Sequence, residues 1–323
     1  MLTKRSLLKA MTLASGLSLM GLKPAQAADV IHVVVPFPPG GGGDTLARSV
    51  TDKIAEILGD TLVVNNRPGA GGMLGTGIVA RATPDGKTVG YVTNGIMCVN
   101  EYLYPMTFDA QKDLTPVGQL SQIGLIVAIN PKALPGVKSV PDLIAYAKAH
   151  PGQVDFASAG IGTTSHLAGL LLEKVAGVKL HHIPHKGGAA AIMNVMAGRI
   201  PLIIDVSPNV LSHLDPEKLV ALAVTTPERL SVAPELPTMK ELGYPKMQLA
   251  AWDGFVVPKG TDPRFIEKFN AALETALKDP EVQKRLKAKA AEVVFSTPQS
   301  FEAFIQSERP KWKSLAETID LKN

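Results

Sequence analysis

Residues 31–44, IHVVVPFPPGGGGD, constrain the fold of this chain more than any other segment. The run Ile31–Val35 is rich in β-branched residues, which is typical of a buried strand, and a proline ends it. Four glycines, Gly40–Gly43, form a loop, and Asp44 begins a predicted helix with apolar residues at helical spacing. A loop without side chains at a helix N-terminus exposes backbone N–H groups and favours an anion. The segment therefore predicts a site for something small and negatively charged.

The first 27 residues have the features of an export signal. Lys4, Arg5 and Lys9 flank the start of a short apolar segment, and residues 25–27 (AQA) provide a small-x-small cleavage site. The apolar part is short and interrupted by polar residues, which argues against a membrane anchor. Residues 3–9 resemble a twin-arginine signal with lysine in the first position, so the Sec and Tat routes both stay open. We expect an exported protein.

The charge balance argues against some partners. The chain carries 33 Lys and Arg against 29 Asp and Glu, but the leader holds four of the positive residues and no acid. The mature chain is therefore close to neutral, and nothing in it indicates a nucleic acid or an anionic membrane as partner. The single cysteine, Cys98, cannot form an internal disulfide, so packing alone must stabilise the core. The remaining 296 residues predict two domains.

Strands and helices alternate along the mature chain, which predicts an α/β fold with mainly parallel strands. We expect two α/β lobes, with residues 28–124 and 253–323 in lobe 1 and residues 125–252 in lobe 2. Val117–Ile129 is the expected outward crossing, and Trp252–Val257 the expected return. An interlobe cleft would then lie at the carboxyl ends of the strands, where α/β sheets bind ligands.

The C-terminal part is predicted to be helical. Its helices are expected over Pro263–Leu277, Pro280–Ala288 and Pro298–Ile319. The last of these contains Pro310, which predicts a break or kink because proline lacks the N–H that continues a helix.

A second glycine-rich loop, Ala159–His166 (AGIGTTSH), also joins a predicted strand to a predicted helix. It presents the hydroxyls of Thr163, Thr164 and Ser165 beside backbone donors. Ser165 is a candidate N-cap, but capping explains only one of the three hydroxyls. We expect Thr163 and Thr164 to be candidates for contact with a ligand, and the ring of His166 to pack inside the protein.

Several motifs argue against enzyme and metal chemistry. No Gly-Lys-Ser/Thr follows the first glycine loop, so it is not a nucleoside-triphosphate loop. Residues 156–160 (FASAG) lack the first glycine of the G-x-S-x-G nucleophile elbow. His181 and His182 are adjacent on a predicted strand and would face opposite sides, so they cannot chelate a metal together.

Three ionisable residues stand where a cleft would lie. His185 follows a predicted strand end, and Asp205 ends the apolar run Leu202–Ile204. Asp205 would either hold neighbouring loop N–H groups or bind a ligand. Asp253 lies at the return crossing, where a carboxylate would repel an anion unless the ligand also carries a cation or the carboxyl is protonated.

Taken together, these motifs resemble the solute receptors of tripartite tricarboxylate transporters, the Bug or TctC-like family. The resemblance covers the whole mature chain. It is carried, in order, by the motifs VVPFPPGGGGD (34–44), NNRPGAGG (65–72), ATPDGKT (82–88), ASAGIGTTSHLAG (157–169), HIPHKGG (182–188), ALAVTT (221–226) and PELPTMKELGYP (234–245).

The resemblance implies a type II periplasmic binding protein fold that closes on a small carboxylate in the periplasm, with no cofactor, no metal and no catalysis. One ligand carboxylate would be held at the two glycine loops by N–H groups, hydroxyls and bridging waters. The residues implied are Phe37, Pro38, Gly40, Gly41 and Gly42 in the first loop and Gly162, Thr163, Thr164 and Ser165 in the second.

Three segments depart from the family pattern. His185 replaces the usual tyrosine of the third loop, Asp253 stands inside W-x-G, and the segment around Asn94 lacks the common small residues. The resemblance places all three near the free end of the ligand. We expect a dicarboxylate, a hydroxy acid, or an amino acid whose ammonium pairs with Asp253.

The implied partners are the permease subunits of a transporter, and the receptor is expected to be a monomer. A receptor that presents its closed form to a membrane sensor without transport stays open, as does an enzyme on the same fold.

Overall fold

The computed structural model describes residues 29–105 and 107–316, so the predicted export signal lies outside the described residues. Its strands are β1 (Val30–Val35), β2 (Thr61–Asn66), β3 (Thr88–Thr93), β4 (Leu114–Ile129), β5 (Asp155–Ser158), β6 (His181–Pro184), β7 (Leu202–Val206), β8 (Val220–Val224), β9 (Ala250–Pro258) and β10 (Ala291–Val293). Its helices are α1 (Gly42–Leu58), α2 (Met73–Ala80), α3 (Asn94–Cys98), α4 (Val140–Ala149), α5 (Thr164–Ala176), α6 (Gly188–Met196), α7 (Ser207–Leu211), α8 (Pro263–Lys278), α9 (Pro280–Lys287) and α10 (Pro298–Ala316).

The strands follow the order β2-β1-β3-β9-β4-β7-β5-β6, and β8 and β10 also pair with β4. On one side, β1 is parallel to β2 and β3. On the other side, β5 is parallel to β6 and β7. The long strands between them run antiparallel to their neighbours. Two groups of parallel strands are therefore joined through antiparallel crossing strands, which confirms the predicted α/β class.

Strand β4 links the two halves of the molecule. Its first part, from Leu114 to Gly124, pairs with β9, and its last part, from Leu125 to Ile129, pairs with β7. The predicted outward crossing lies within β4, and the predicted return lies within β9. The lobe boundaries at 124/125 and 252/253 stay a prediction.

Helix α1 forms because its apolar residues fall on one face. Leu46, Val50 and Ile54 are buried and pack in the same core cluster as strand β1. The helix begins at Gly42, two residues before the predicted start at Asp44. Gly41 is extended (φ −73°, ψ 166°) and ends the loop, while the acid lies in the first turn, where the helix dipole favours it.

Helix α10 is continuous from Pro298 to Ala316, so of the two predicted alternatives at Pro310, a break or a kink, the break is wrong. The helix is anchored on both sides of the proline, because Ile305 and Trp312 are buried in one core cluster. This packing offsets the loss of a backbone hydrogen bond at Pro310. The predicted end at Ile319 lies outside the described residues.

Within residues 29–105 and 107–316, no helix combines the length and the apolar character that crossing a membrane requires.

Candidate functional site

A cavity of about 70 Å³, hereafter the inner cavity, lies between the two halves. It is bounded mainly by residues at or just after the carboxyl ends of β1, β3, β5 and β7, as expected for an α/β sheet, and also by residues of the crossing strands β4 and β9. Eight of the predicted site residues line it: Phe37, Pro38, Gly41, Gly42, Thr163, Thr164, Ser165 and Asp205.

Three helix N-termini converge on the inner cavity. Gly42 and Gly43 bring the first turn of α1, Thr164 and Ser165 that of α5, and Gly188 that of α6. The N–H groups of a first helical turn have no carbonyl partner within the helix, and the helix dipole makes this end attractive to anions. Among the described residues that line the cavity there is no lysine or arginine. The site is therefore suited to bind an anion by backbone groups.

Gly40 does not line the inner cavity, which corrects its predicted contact with the ligand. Its N–H donates to Asp44 Oδ2 at 2.9 Å, so this amide is already engaged. The other carboxylate oxygen of Asp44 accepts from Asn66 (2.8 Å) and forms an ion pair with Arg48 (2.9 Å). Asp44 thus holds the first glycine loop in place through these hydrogen bonds. Glycine is needed at position 40 because its φ of 76° lies in the left-handed region.

The ligand contact predicted for Gly162 is also corrected, because its N–H group is engaged within the protein. Its N–H donates to Nδ1 of His166 at 3.2 Å, and it does not line the inner cavity. His166 is buried and stacks on His182 with ring centroids 3.9 Å apart. Burial lowers the pKa of His166 to about 4 and that of His182 to about 3. Both rings are therefore neutral near pH 7, and Nδ1 of His166 can accept the Gly162 N–H. The packed role predicted for the His166 ring is confirmed.

The N-cap of α5 is Thr163, and the prediction that Ser165 caps the helix is wrong. The hydroxyl of Thr163 accepts from the His166 N–H and donates to the Gly160 carbonyl at 2.7 Å. The hydroxyl of Ser165 donates instead to the carbonyl of Ile204 in β7, also at 2.7 Å. Ser165 therefore joins α5 to the sheet, while its position in the first turn keeps it at the cavity wall.

Asn94 lies behind the cavity wall and not in it. It is fully buried, and its Oδ1 accepts from the Thr164 hydroxyl at 2.8 Å. Its amide nitrogen has no partner in the described part of the chain. The predicted contact of Asn94 with the ligand is corrected to a contact between the two halves, through Thr164.

Asp205 is the charged side chain that the structure places in the inner cavity. One carboxylate oxygen accepts from the Val206 N–H at 2.9 Å, and the other accepts from the side chain of Asn209. Burial raises the pKa of Asp205 to about 6, and these two hydrogen bonds oppose the rise. Both predicted roles, holding loop N–H groups and facing the ligand, are compatible with this position.

Asp253 is fully buried and does not line the cavity, so the predicted pairing with a ligand ammonium is wrong for this structure. Its carboxylate accepts from the hydroxyl of Tyr91 and, at 2.7 Å, from the hydroxyl of Ser121. Burial raises the pKa of Asp253 to about 6. Tyr91, which does line the cavity, stands between Asp253 and the space for a ligand. The sequence pattern gave no reason to choose Tyr91.

His185 lies at a second, outer cavity of about 220 Å³, and not at the inner one. Its Nδ1–H donates to the carbonyl of Ile183 at 3.0 Å, which leaves Nε2 unprotonated when the ring is neutral. Phe37, Pro38 and Ala159 line both cavities and separate them. The predicted contact of His185 with the free end of the ligand is thus corrected to the outer cavity.

The two halves touch each other across the cleft. The hydroxyl of Tyr104 donates to the carbonyl of Ile161 at 2.7 Å. A Cβ atom on Gly187 would lie 2.6 Å from the ring of Pro38, so the loop at Gly187 and the first glycine loop are in close contact. These contacts describe a closed arrangement.

The sequence reasoning missed Gly43 and Gly188, although both stand in glycine-rich turns that precede helices. A Cβ on Gly188 would lie 2.5 Å from Asp205 Oδ2, so this position must be glycine for Asp205 to face the cavity. The described residues contain no cluster of three or more His, Cys, Asp or Glu placed to hold a metal.

A sheet shared by two halves, with an anion site made of helix N-termini in the cleft, defines a solute-binding protein of the periplasmic class. The comparisons agree. The model of the tripartite tricarboxylate transporter receptor family (TctC) matches residues 46–321. The chain belongs to this family, which is periplasmic.

Relatives in this family are similar along most of their length. BugT of Bordetella pertussis is 35% identical over 284 residues, which is 87% of this chain and 86% of BugT. MatC from Rhodopseudomonas palustris, solved with bound malate, is 31% identical with a TM-score of 0.84, covering 90% of this chain and 99% of MatC. Rpa4515 of the same organism, solved with adipate, is 31% identical with a TM-score of 0.87, covering 91% and 98%. The family and these neighbours are solute-binding proteins and not enzymes.

Proposed function

We propose that this receptor captures a small organic dicarboxylate or hydroxy acid in the inner cavity and presents it to the membrane components of a tripartite transporter. The observation that carries the proposal is the convergence of three helix N-termini on a cavity whose described lining has no lysine or arginine. Backbone donors bind a carboxylate without a buried cation that would need a partner of its own.

One carboxylate of the ligand would be bound by the first-turn N–H groups of α1 and α5, at Gly42, Gly43, Thr164 and Ser165. Bridging waters would complete its hydrogen bonds, since the hydroxyl protons of Thr164 and Ser165 are already donated within the protein. The resemblance to the family implies the same two loops. The N–H groups of Gly40 and Gly162 in these loops already donate to side chains, so the N–H groups that can reach the ligand are those at the helix ends.

Asp205 would select the rest of the ligand. An ionised carboxylate in the cavity repels a second acid group, but accepts from a hydroxyl or an ammonium. A hydroxy acid is therefore favoured over an acid with no donor. Two neighbours support a dicarboxylate as the ligand class, because MatC was solved with malate and Rpa4515 with adipate. Malate carries a hydroxyl that can donate to Asp205, whereas adipate has no donor and would need Asp205 to be protonated. An amino acid would have to pair with Asp205, because Asp253 is covered by Tyr91.

A thermal-shift and calorimetric screen tests the proposal. L-malate and adipate are compared with their neutral diamides, after any co-purified ligand has been removed by unfolding and refolding. An acid at one hundred times its Kd stabilises the folded protein by about 2.7 kcal/mol and raises the melting temperature by a few degrees. The diamides should give no shift. Equal binding of acid and diamide would refute the anion site.

A matched pair of glycine variants locates the binding. Gly43→Ala places a Cβ about 2.7 Å from the ring of Phe37 at the cavity wall, and should weaken the acid. Gly77→Ala in α2 places a Cβ 3.1 Å from the flexible end of Arg81 and 3.3 Å from the ring of Phe108, neither of which lines the inner cavity, and should leave binding unchanged. Equal effects of the two variants would argue that the acid binds elsewhere.

Delivery to a transporter is tested in cells. We expect that deleting the gene abolishes uptake of the labelled acid, and that the wild-type gene restores uptake. Normal uptake in the deletion strain, with loss of a transcriptional response to the acid, would favour a membrane sensor as the partner.

A further inference from the structure

Two imidazole rings stack beside the second glycine loop, outside the inner cavity. His166 lies in the first turn of α5 and His182 in β6, and their ring centroids are 3.9 Å apart with an angle of 18° between the planes. The ring of Phe156 in β5 stacks on His182 with centroids 4.8 Å apart. Neither imidazole lines the inner cavity, so neither can contact a ligand bound there. Any effect of the pair on binding must therefore pass through other groups.

Each imidazole accepts a hydrogen bond that leads to the second glycine loop. Nδ1 of His166 accepts directly from the Gly162 N–H at 3.2 Å. Nε2 of His182 lies 2.6 Å from the hydroxyl oxygen of Ser158, which accepts from the Gly160 N–H at 3.1 Å. Ser158 is fully buried, and a buried hydroxyl proton needs an acceptor. Among the described residues that acceptor is Nε2 of His182, so the Ser158 hydroxyl donates to it.

These hydrogen bonds act on the part of the loop from which α5 begins. Thr163, the N-cap of α5, directly follows Gly162, and its hydroxyl donates to the Gly160 carbonyl at 2.7 Å. Thr163 and Thr164 line the inner cavity. The conformation of the loop therefore determines where the first-turn N–H groups of α5 lie relative to the cavity.

We propose that His166 and His182 are positioning residues of the anion site, which place the N-terminus of α5 at the inner cavity. His166 holds the loop directly at Gly162, and His182 holds it at Gly160 through the Ser158 hydroxyl. Burial keeps both imidazoles neutral near pH 7 by lowering the pKa of each ring, so both nitrogens are available as acceptors. The inference rests on the proposed function, because it concerns the α5 end of the proposed ligand site.

Two pairs of variants separate the role of the acceptor atoms from that of ring packing. His166→Asn places an amide oxygen where Nδ1 stood, whereas His166→Leu has nearly the same shape and no acceptor. His182→Gln and His182→Met form the corresponding pair for Nε2. All four variants lose the stacked imidazole, so within each pair only the acceptor differs. Circular dichroism shows which variants are folded, and either pair alone tests its own imidazole.

Amide hydrogen exchange of residues 159–163 gives a readout that needs no ligand. The Asn and Gln variants should exchange like the wild type, whereas the Leu and Met variants should exchange about tenfold faster in this segment, because one hydrogen bond that holds the loop is lost. His150→Leu is the control, since it removes a half-buried imidazole at the C-cap of α4, outside the inner cavity. It should leave exchange in the loop unchanged.

Calorimetry with L-malate at pH 7 measures the consequence for binding. We expect the Asn and Gln variants and His150→Leu to bind malate like the wild type. The Leu and Met variants should bind it about tenfold more weakly, because the N–H groups of α5 are no longer held at the cavity.

Two outcomes would overturn the proposal. The first is equal loop exchange within each pair of variants, because the acceptor atoms would then not hold the loop. The second is faster loop exchange in the Leu and Met variants with unchanged malate affinity, because the loop would then not position the anion site. Failure of the wild type to bind either malate or adipate would refute the proposed function instead, and the exchange data would still decide whether the imidazoles hold the loop.

Discussion

Binding of adipate should weaken as the pH rises from 6 to 8, because of Asp205. This carboxyl lies in the inner cavity, and burial raises its pKa to about 6. Adipate has no hydroxyl or ammonium to donate to an ionised Asp205, so it binds best when Asp205 is protonated. The ligand itself stays ionised over this range, since ordinary carboxyl pKa values lie near 4.

The size of the effect follows from the protonated fraction of Asp205. With a pKa of about 6, that fraction is about one half at pH 6 and about one hundredth at pH 8. If only the protonated form binds, the apparent Kd is the intrinsic Kd divided by this fraction. The Kd for adipate should then rise about fifty-fold between the two values, or about 2.3 kcal/mol. Malate, whose hydroxyl can donate to the ionised carboxylate, should show a much smaller rise.

Calorimetry in buffers of different ionisation enthalpy measures both the Kd and the protons taken up. At pH 7, about 0.9 proton should be taken up for each adipate bound, since about nine tenths of Asp205 is then ionised. Asp205→Asn should abolish the uptake and bind adipate with similar affinity at pH 6 and pH 8.

Asp253 provides the matched control. Its pKa is also raised to about 6, but Tyr91 separates it from the cavity. Asp253→Asn should therefore retain the pH dependence of adipate binding. The reasoning fails if wild-type binding is flat from pH 6 to 8, or if Asp253→Asn and not Asp205→Asn removes the slope.

Three further predictions concern closure, the buried acid and the buried imidazoles. Tyr104→Phe removes the 2.7 Å hydrogen bond to Ile161 across the cleft, so acid binding measured by calorimetry should weaken about five-fold; an unchanged Kd would show that this bond does not favour closure. Asp253→Asn leaves two hydroxyl donors facing an amide, so urea unfolding should show a loss of about 1–3 kcal/mol, and unchanged stability would contradict the buried network. The pKa values of His166 and His182 are lowered to about 4 and about 3, so the unfolded chain binds more protons below pH 6.5, and these rings should contribute stability that is lost as the pH falls from 6.5 towards 4. Imidazole NMR signals should show no titration of either ring between pH 7 and 5, and a midpoint above pH 6 would refute the assignment.

The elements that the sequence predicted well are those in which apolar residues recur at a regular helical spacing or form a long continuous run. The stripe of α1 and the apolar run of β4 appear in the structure close to their predicted bounds. The resemblance to the family also identified the two loops that meet at the cleft. These features depend on residues near one another in the chain, or on motifs whose spacing is long and specific.

The depth of individual side chains could not be predicted in the same way. Asp253 is hidden because Tyr91, 162 residues away in the chain, covers it from a neighbouring strand. Ser165 caps no helix because the Ile204 carbonyl in β7 takes its hydroxyl. Helix α10 continues through Pro310 because tertiary packing outweighs the local cost. Each of these outcomes depends on a partner that is distant in sequence, and local sequence patterns carry no information about such partners.

The two glycine loops are fixed by the same kind of hydrogen bond, but the side chain that accepts it is a carboxylate in one loop and an imidazole in the other. In each loop a glycine N–H is bound by a side chain four residues further along, Gly40 by Asp44 and Gly162 by His166. This fixes both loops before a ligand arrives, which lowers the entropic cost of binding. Asp44 is an anion already placed in the first turn of α1, although Arg48 pairs with it. His166 is neutral near pH 7 because burial lowers its pKa to about 4.

The N-terminus of α5 therefore carries no built-in negative charge, whereas that of α1 does. A ligand carboxylate therefore loses less binding free energy to electrostatic repulsion at α5, where no side-chain carboxylate offsets the partial positive charge of the helix N-terminus. We expect a crystal structure with bound acid to place that carboxylate closer to the N–H of Ser165 than to the N–H of Gly42. A carboxylate centred on α1 would contradict this argument, because the negative charge of Asp44 would then have no influence on where the acid binds.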